Sequence, residues 1–240
     1  MIAGVWGAGK TSVYQRCVAR LVSGGCQSLI TMPQAATLTT HTYAPGGISE
    51  HAGNIQAWLA NLTSFLEDLD RRFQASALPA HRFASAWAPA CVLEGLGFDT
   101  PIYDLPIPRE ALLGIEQRMG AIGLRLVILR VPGPRIRAQC VESTRTHRGP
   151  KWASYLAGFG PDDQARSEHI QRAQDRLLAW ALTSPMPVHV VDTGTGDWDA
   201  LASEVTDLIS SPPKARHDQS HPTGPNPAAG ADSRRASDDR

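Results

Sequence analysis

The chain reads as an α/β protein, a three-layer sandwich in which a parallel sheet of about five strands lies between helices. Three observations lead there. Short apolar runs alternate with longer helical patterns along residues 1–210, the rhythm of parallel strands joined by helical crossovers. Each run is bounded by glycine or proline, the residues that punctuate strands. A length of 240 residues with 42% hydrophobic content suffices for one core and argues for one domain rather than two.

The strand candidates after the amino-terminal Met1-Ile2-Ala3 are Gln27–Thr31, Cys91–Glu94, Leu124–Arg130 and Val188–Val191. Between them, Thr11–Val22 reads as a helix stopping at Gly24-Gly25, and Pro108–Met119 as one opened by proline and closed by Gly120. From Glu50 to Ala75, residues Ile55, Trp58, Leu59, Leu62, Phe65, Leu66, Leu69 and Phe73 recur at three- and four-residue spacing, which predicts an amphipathic core helix. Two more helices are expected over Asp162–Ser184 and Trp198–Ile209. Beyond Ser211 no large apolar residue remains to bury, so 211–240 is expected to be a disordered tail behind a domain of 1–210.

Lysine plus arginine equals aspartate plus glutamate at 23 each, so no chain-wide field favours nucleic acid or an anionic membrane as partner. An anion site must be local. Cys17, Cys26, Cys91 and Cys140 lie far apart without a C-x-x-C pair, which suits free thiols in the cytoplasm. No signal peptide is expected, and no apolar run approaches the ~20 residues of a membrane span. The histidines show no H-E-x-x-H pairing, so zinc has no support.

The informative motif is Gly4-Val5-Trp6-Gly7-Ala8-Gly9-Lys10-Thr11, a phosphate-binding P-loop. A loop that turns its N–H groups inward around phosphate oxygens needs left-handed backbone and no side-chain bulk, which Gly4, Gly7 and Gly9 supply. It runs into a helix whose positive amino end favours an anion. Lys10 is expected to reach the β- and γ-phosphates of ATP, and the Thr11 hydroxyl to bind Mg²⁺. The nucleotide-binding set is then Gly4, Gly7, Ala8, Gly9, Lys10, Thr11 and Ser12. Only Met1, Ile2 and Ala3 precede Gly4, fewer than the roughly five or six residues of an ordinary strand, so translation is expected to begin upstream of Met1.

No Asn-Lys-x-Asp occurs for reading guanine, and no apolar strand ends in the paired acids of motors and helicases. The layout instead resembles the short P-loop kinases of nucleosides and nucleotides, typified by thymidylate kinase and the deoxynucleoside kinases. The corresponding stretches are Gly4–Thr11, Val92-Leu93-Glu94-Gly95, Arg135–Arg148 and Val190-Val191-Asp192-Thr193-Gly194. The resemblance implies an ATP- and Mg²⁺-dependent phosphotransferase acting on a small-molecule acceptor, and it allows a homodimer. In it Glu94 positions or deprotonates the acceptor, or orders Mg²⁺ through water, and the Asp192–Gly196 loop, including Asp192 and Gly194, flanks the adenine. The chain has Glu94-Gly95-Leu96 where those kinases carry Asp-Arg or Glu-Arg-Ser. The acceptor therefore stays open between a nucleoside, a nucleoside monophosphate, an antibiotic and another metabolite. A nucleotide-dependent regulatory protein with little turnover is the alternative of a different class.

Six arginines against one acid, Glu142, crowd 125–148, as expected where phosphoryl charge must be met. Arg145 and Arg148 share a helical face ahead of the Gly149-Pro150 break, which makes 133–160 a candidate lid and these two its candidate catalytic cations. Trp152, Tyr155 and Phe159 are expected to pack that lid. Gln34, Arg82, Asp99 and Asp104 are weaker candidates for lining the acceptor pocket.

Overall fold

The computed structural model describes residues 1–34, 47–95 and 99–210. The expected tail at 211–240 lies outside them. Five strands are present among the described residues: β1 (Ile2–Ala3), β2 (Leu29–Met32), β3 (Ala90–Leu93), β4 (Leu126–Arg130) and β5 (Val188–Asp192). The longer helices are α1 (Lys10–Ser23), α2 (Ile48–Gln74), α3 (Arg109–Ala121), α4 (Pro150–Ala157), α5 (Asp163–Leu182) and α6 (Trp198–Ser210). All strand pairs are parallel, so the α/β class holds.

The strands form a three-stranded ladder, β1-β4-β5, and a two-stranded one, β2-β3, rather than one continuous sheet. A single parallel bridge, Ile2 to Glu94, joins them, with the Gly95 N–H donating to the Ile2 carbonyl at 2.8 Å. The cause is the two-residue length of β1: a strand that short cannot run a ladder along both of its edges. Through the bridge the strands lie in the order β2-β3-β1-β4-β5.

β4 is the axis of the core. Leu126, Val127, Ile128 and Leu129 are all buried, the near-continuous apolar run of a strand covered on both faces. α1 packs on α6, and α2 on α3. Along α2, Ala52, Ile55, Leu59, Leu62 and Leu66 form the buried stripe. Phe65, expected in that stripe, is exposed, because it falls one residue, about 100° of helix, away from Leu66.

Two helix ends separate expectation from outcome. α1 stops as read, with Gly24 at its cap and Gly25 left-handed at φ 89°. α3 does not stop at Gly120 but runs to Ala121, and the left-handed residue is Gly123 at φ 85°. Gly120 packs beside Met186, where a β-carbon would stand in ordinary contact, 3.4 Å from the Met186 Cα. No described helix is long and apolar enough to cross a membrane.

Candidate functional site

β1 delivers the chain into residues 4–9 at the carboxyl edge of the strands, beside Glu94 on one side and β4 on the other. Gly4, Gly7 and Gly9 have φ of 156°, 77° and 87°, so each uses backbone that a side chain disfavours. Bulk is also excluded. A β-carbon on Gly4 would stand 2.9 Å from the Leu129 carbonyl oxygen, one on Gly7 2.7 Å from the Cys140 Cα, and one on Gly9 2.2 Å from the Trp198 ring. The loop is thus held from three directions by β4, the segment around Cys140 and the start of α6.

α1 begins immediately after Gly9, with neither a capping side chain nor an acid in its first turn. Its first N–H groups have no acceptor within the helix, so the positive end faces the loop. Lys10 Nζ donates to the carbonyls of Gly4 at 2.7 Å and Val5 at 3.2 Å. The ammonium is therefore closed onto the first turn of its own loop.

Thr11 and Glu94, 83 residues apart in sequence, meet here. The Thr11 hydroxyl donates to Glu94 Oε1 at 2.6 Å, and the Gln34 N–H donates to Glu94 Oε2 at 3.2 Å. Glu94 is 1% exposed and forms no ion pair among the described residues. A buried carboxylate held only by a hydroxyl and an amide keeps capacity for a cation. One carboxylate and one hydroxyl beside a phosphate cradle is a donor set that Mg²⁺ accepts, because that ion fills its remaining positions with water and phosphate oxygen. No cluster of three His, Cys, Asp or Glu side chains occurs among the described residues, so a cage built by protein alone is absent there.

The arginines of 125–148 divide sharply. Arg130 pairs with Asp192 at 2.9 Å, Arg137 with Glu142 at 3.0 Å and Arg145 with Asp163 at 2.6 Å. Arg125 donates to the Leu208 carbonyl. The pair at Asp163, reinforced by Arg166, holds that carboxyl below the usual carboxylate range. Arg148 instead lies over the Trp152 ring, 5.0 Å from its centroid, with no carboxylate partner among the described residues. It is also near enough to Cys140, with Lys10, to favour the thiolate there; burial outweighs both cations and pushes the thiol up to about 12. Arg148 thus rests on Trp152, while Arg145 is committed to the start of α5.

Asp192 and Gly194 lie together: the Gly194 N–H donates to Asp192 Oδ1 at 2.8 Å. That bond and Arg130 hold the Asp192 carboxyl below its ordinary range. Gly194 has no room for a β-carbon, which would stand 2.9 Å from Pro132 Cγ. Gln34 packs against Gly95, as expected for a residue beside Glu94. Arg82 stacks on its exposed neighbour Phe83. Asp104 is exposed with a left-handed φ of 54°, a turn at the end of the Asp99–Tyr103 helix. The Asp99 side chain and residues 96–98 lie outside the described set.

Four contributors carry weak sequence signals. Trp6, in a freely variable position of the motif, is the hub of an aromatic cluster. Its ring lies 5.4 Å from Tyr103, 6.4 Å from Tyr155, 4.5 Å from Phe159 and 5.8 Å from His169, and its Nε1 donates to the Tyr103 hydroxyl at 3.2 Å. Tyr155 and Phe159 therefore pack against the loop, although Tyr155 stays 40% exposed and Trp152 39%. His169 stacks on Phe159; burial, with Arg172 and Arg176 nearby, keeps its pKa below the ordinary imidazole value. Trp198 opens α6 against Gly9. Gln139 has no signal at all, since its place depends on a π-helical turn, Arg137–Glu142. No protein-family model, curated protein or solved structure matches the chain.

Proposed function

We propose that the protein binds MgATP on the 4–11 loop and transfers the γ-phosphoryl group to a small acceptor, as a three-layer P-loop kinase of the nucleoside and nucleotide type. The observation that carries this is the Thr11–Glu94 hydrogen bond of 2.6 Å beneath a glycine-curled loop. It joins the motif hydroxyl to a buried acid at the end of the neighbouring strand. The strand order supports the same class. With right-handed crossovers, the order β2-β3-β1-β4-β5 puts α1 on one face and α2, α3 and α5 on the other. It also opens crevices beside β1, where ligands of open α/β sheets bind.

In this mechanism the N–H groups of the loop and of the first turn of α1 hold the phosphates in a fixed field, needing no reorganisation as charge shifts. Lys10 exchanges its two carbonyl partners for phosphate oxygens. Thr11 and Glu94 would hold Mg²⁺, which when bound neutralises charge on the β- and γ-phosphates. Glu94 faces the crevice from β3 and orients the acceptor hydroxyl or phosphate there. Arg148, without a carboxylate partner among the described residues, is the lid cation proposed to meet the equatorial phosphoryl oxygens, whereas Arg145 acts only if it leaves Asp163. The Asp192–Gly196 turn, braced by Arg130, flanks the adenine. The free cysteines suit a cytoplasmic enzyme, and a homodimer is compatible with the class.

Incubation with labelled ATP, Mg²⁺ and a panel of nucleosides, nucleoside monophosphates, antibiotics and polar metabolites tests the proposal. A new labelled compound that the Lys10→Ala variant does not make is the expected result. ATP binding without any product across the panel favours a regulatory nucleotide-binding protein. Unchanged ATP binding by Lys10→Ala overturns the cradle itself.

A further inference from the structure

We propose that Gln139 is a positioning residue for the phosphate cradle, setting the peptide between Gly7 and Ala8 and tying it to the loop after β5; this rests on residues 4–11 being a polyphosphate site. The side-chain Nε2 of Gln139 donates to the Gly7 carbonyl at 3.3 Å and to the Thr193 hydroxyl at 3.0 Å. The other end of the same peptide is also held, because the Ala8 N–H donates to the Val5 carbonyl at 3.2 Å. A planar peptide pinned at both its carbonyl and its N–H cannot rotate.

That restraint sits where freedom is greatest. Gly7 and Gly9, on either side of Ala8, have φ of 77° and 87°, and glycine crosses between left- and right-handed backbone with little cost. An unpinned Gly7 carbonyl can swing toward the cradle, where its oxygen would repel phosphate oxygens. Gln139 opposes that swing. Contact is close enough for it, since the backbone of 139–140 touches Gly7 and a β-carbon there would lie 3.1 Å from the Gln139 carbonyl oxygen.

The carboxamide has one workable orientation. Both N–H directions face acceptors, and rotating the amide by 180° would set its oxygen against the Gly7 carbonyl oxygen. Its own Oε1 is buried without a partner among the described residues, so the contact to Gly7 is kept while another hydrogen bond goes unmade. The π-helical turn explains the reach: Arg137–Glu142 is wider than the α-turns on either side, Gly133–Ile136 and Ser143–His147, and such turns recur at functional sites. Thr193 in turn donates its hydroxyl to the Arg130 carbonyl at 3.1 Å. The chain Gly7–Gln139–Thr193–Arg130 thus links the cradle, the lid segment, the proposed adenine loop and β4.

The test uses the full chain with three probes, inorganic tripolyphosphate, ATP and adenosine, measured by calorimetric titration beside thermal melting. Gln139→Glu keeps the shape but turns an oxygen toward Gly7; Gln139→Met keeps the length without charge and serves if the glutamate variant does not fold. In each folded variant the affinity for tripolyphosphate and ATP should fall by roughly 5-fold or more, the scale of one lost hydrogen bond to a strained group, while adenosine affinity holds. A lowered melting temperature with parent-like tripolyphosphate affinity would make Gln139 a simple bolt between segments and overturn the proposal. If the parent chain binds neither tripolyphosphate nor ATP, the cradle fails first and this inference goes with it.

Discussion

Thr11→Val is the most discriminating perturbation because it removes one hydroxyl and nothing else of size. In the parent, Glu94 Oε1 receives that hydroxyl at 2.6 Å and Oε2 receives the Gln34 N–H at 3.2 Å, at a site 1% exposed. After substitution the shorter of these bonds is gone; Thr11 itself is exposed, so water can replace part of it and the loss lies toward the lower end of the range for such a bond. A hydrogen bond to a charged group contributes about 1.5–3 kcal/mol. For a chain of this size roughly 2–4 °C of melting temperature follows each kcal/mol, so Tm should fall by about 3–12 °C. Glu94→Gln in the Thr11→Val background should recover part of the loss, because a neutral amide tolerates the missing donor better than a carboxylate, giving a coupling of about 1 kcal/mol. Ligand linkage supplies the functional half. If the proposed site binds it, MgATP at a hundredfold excess over its Kd should raise the parent's stability by about 2.7 kcal/mol, and part of that increment should vanish when EDTA replaces Mg²⁺. In Thr11→Val the melts with MgATP and with ATP–EDTA should coincide. A Thr11→Val protein as stable as its parent, or one with an undiminished Mg²⁺ increment, would refute the assignment of Thr11 and Glu94 as a joint cation site.

Gly7→Ala places a β-carbon 2.7 Å from the Cys140 Cα at a φ of 77°; left-handed backbone costs about 1–2 kcal/mol and overpacking about 1–3, so chemical denaturation should show a loss of roughly 2–5 kcal/mol, and a loss under 1 would contradict the close approach. Arg148→Gln should lower kcat by ~10-fold or more while Arg145→Gln changes it less, since Arg145 is held by Asp163 and a lid cation acts only where it meets phosphoryl charge; equal effects would show that the Asp163 pair opens during turnover. Burial pushes the Cys91 thiol up to about 11 and that of Cys140 to about 12, so both should resist iodoacetamide in the native protein at pH 8 and react on unfolding. Mass spectrometry that finds Cys140 alkylated first would disprove its enclosure.

Much of the fold was legible because its signals are local. The five helices expected from the sequence, α1, α2, α3, α5 and α6, follow residues whose spacing and stop chemistry lie within a few positions of one another, and β3 to β5 start within two residues of the expected runs. The failures are non-local. Gly120 looked like a stop, but the helix runs past it and it packs beside Met186, 66 positions away. The sheet divides into two ladders because β1 supplies only Ile2 and Ala3 for pairing on both edges.

The sequence by itself determined the curl and charge of the cradle: the glycines at 4, 7 and 9, the ammonium at 10 and the hydroxyl at 11 follow each other along the chain. It also located an acid at a strand end. Only the tertiary structure decided that Glu94 rather than another acid meets Thr11, that Arg145 pairs with Asp163 while Arg148 lies on Trp152, and that Gln139, Trp6 and Trp198 surround the loop. Hydrogen bonds and packing act over a few ångströms in space. Those neighbours come from segments up to about 190 residues from the loop, so no pattern of spacing along the chain records them.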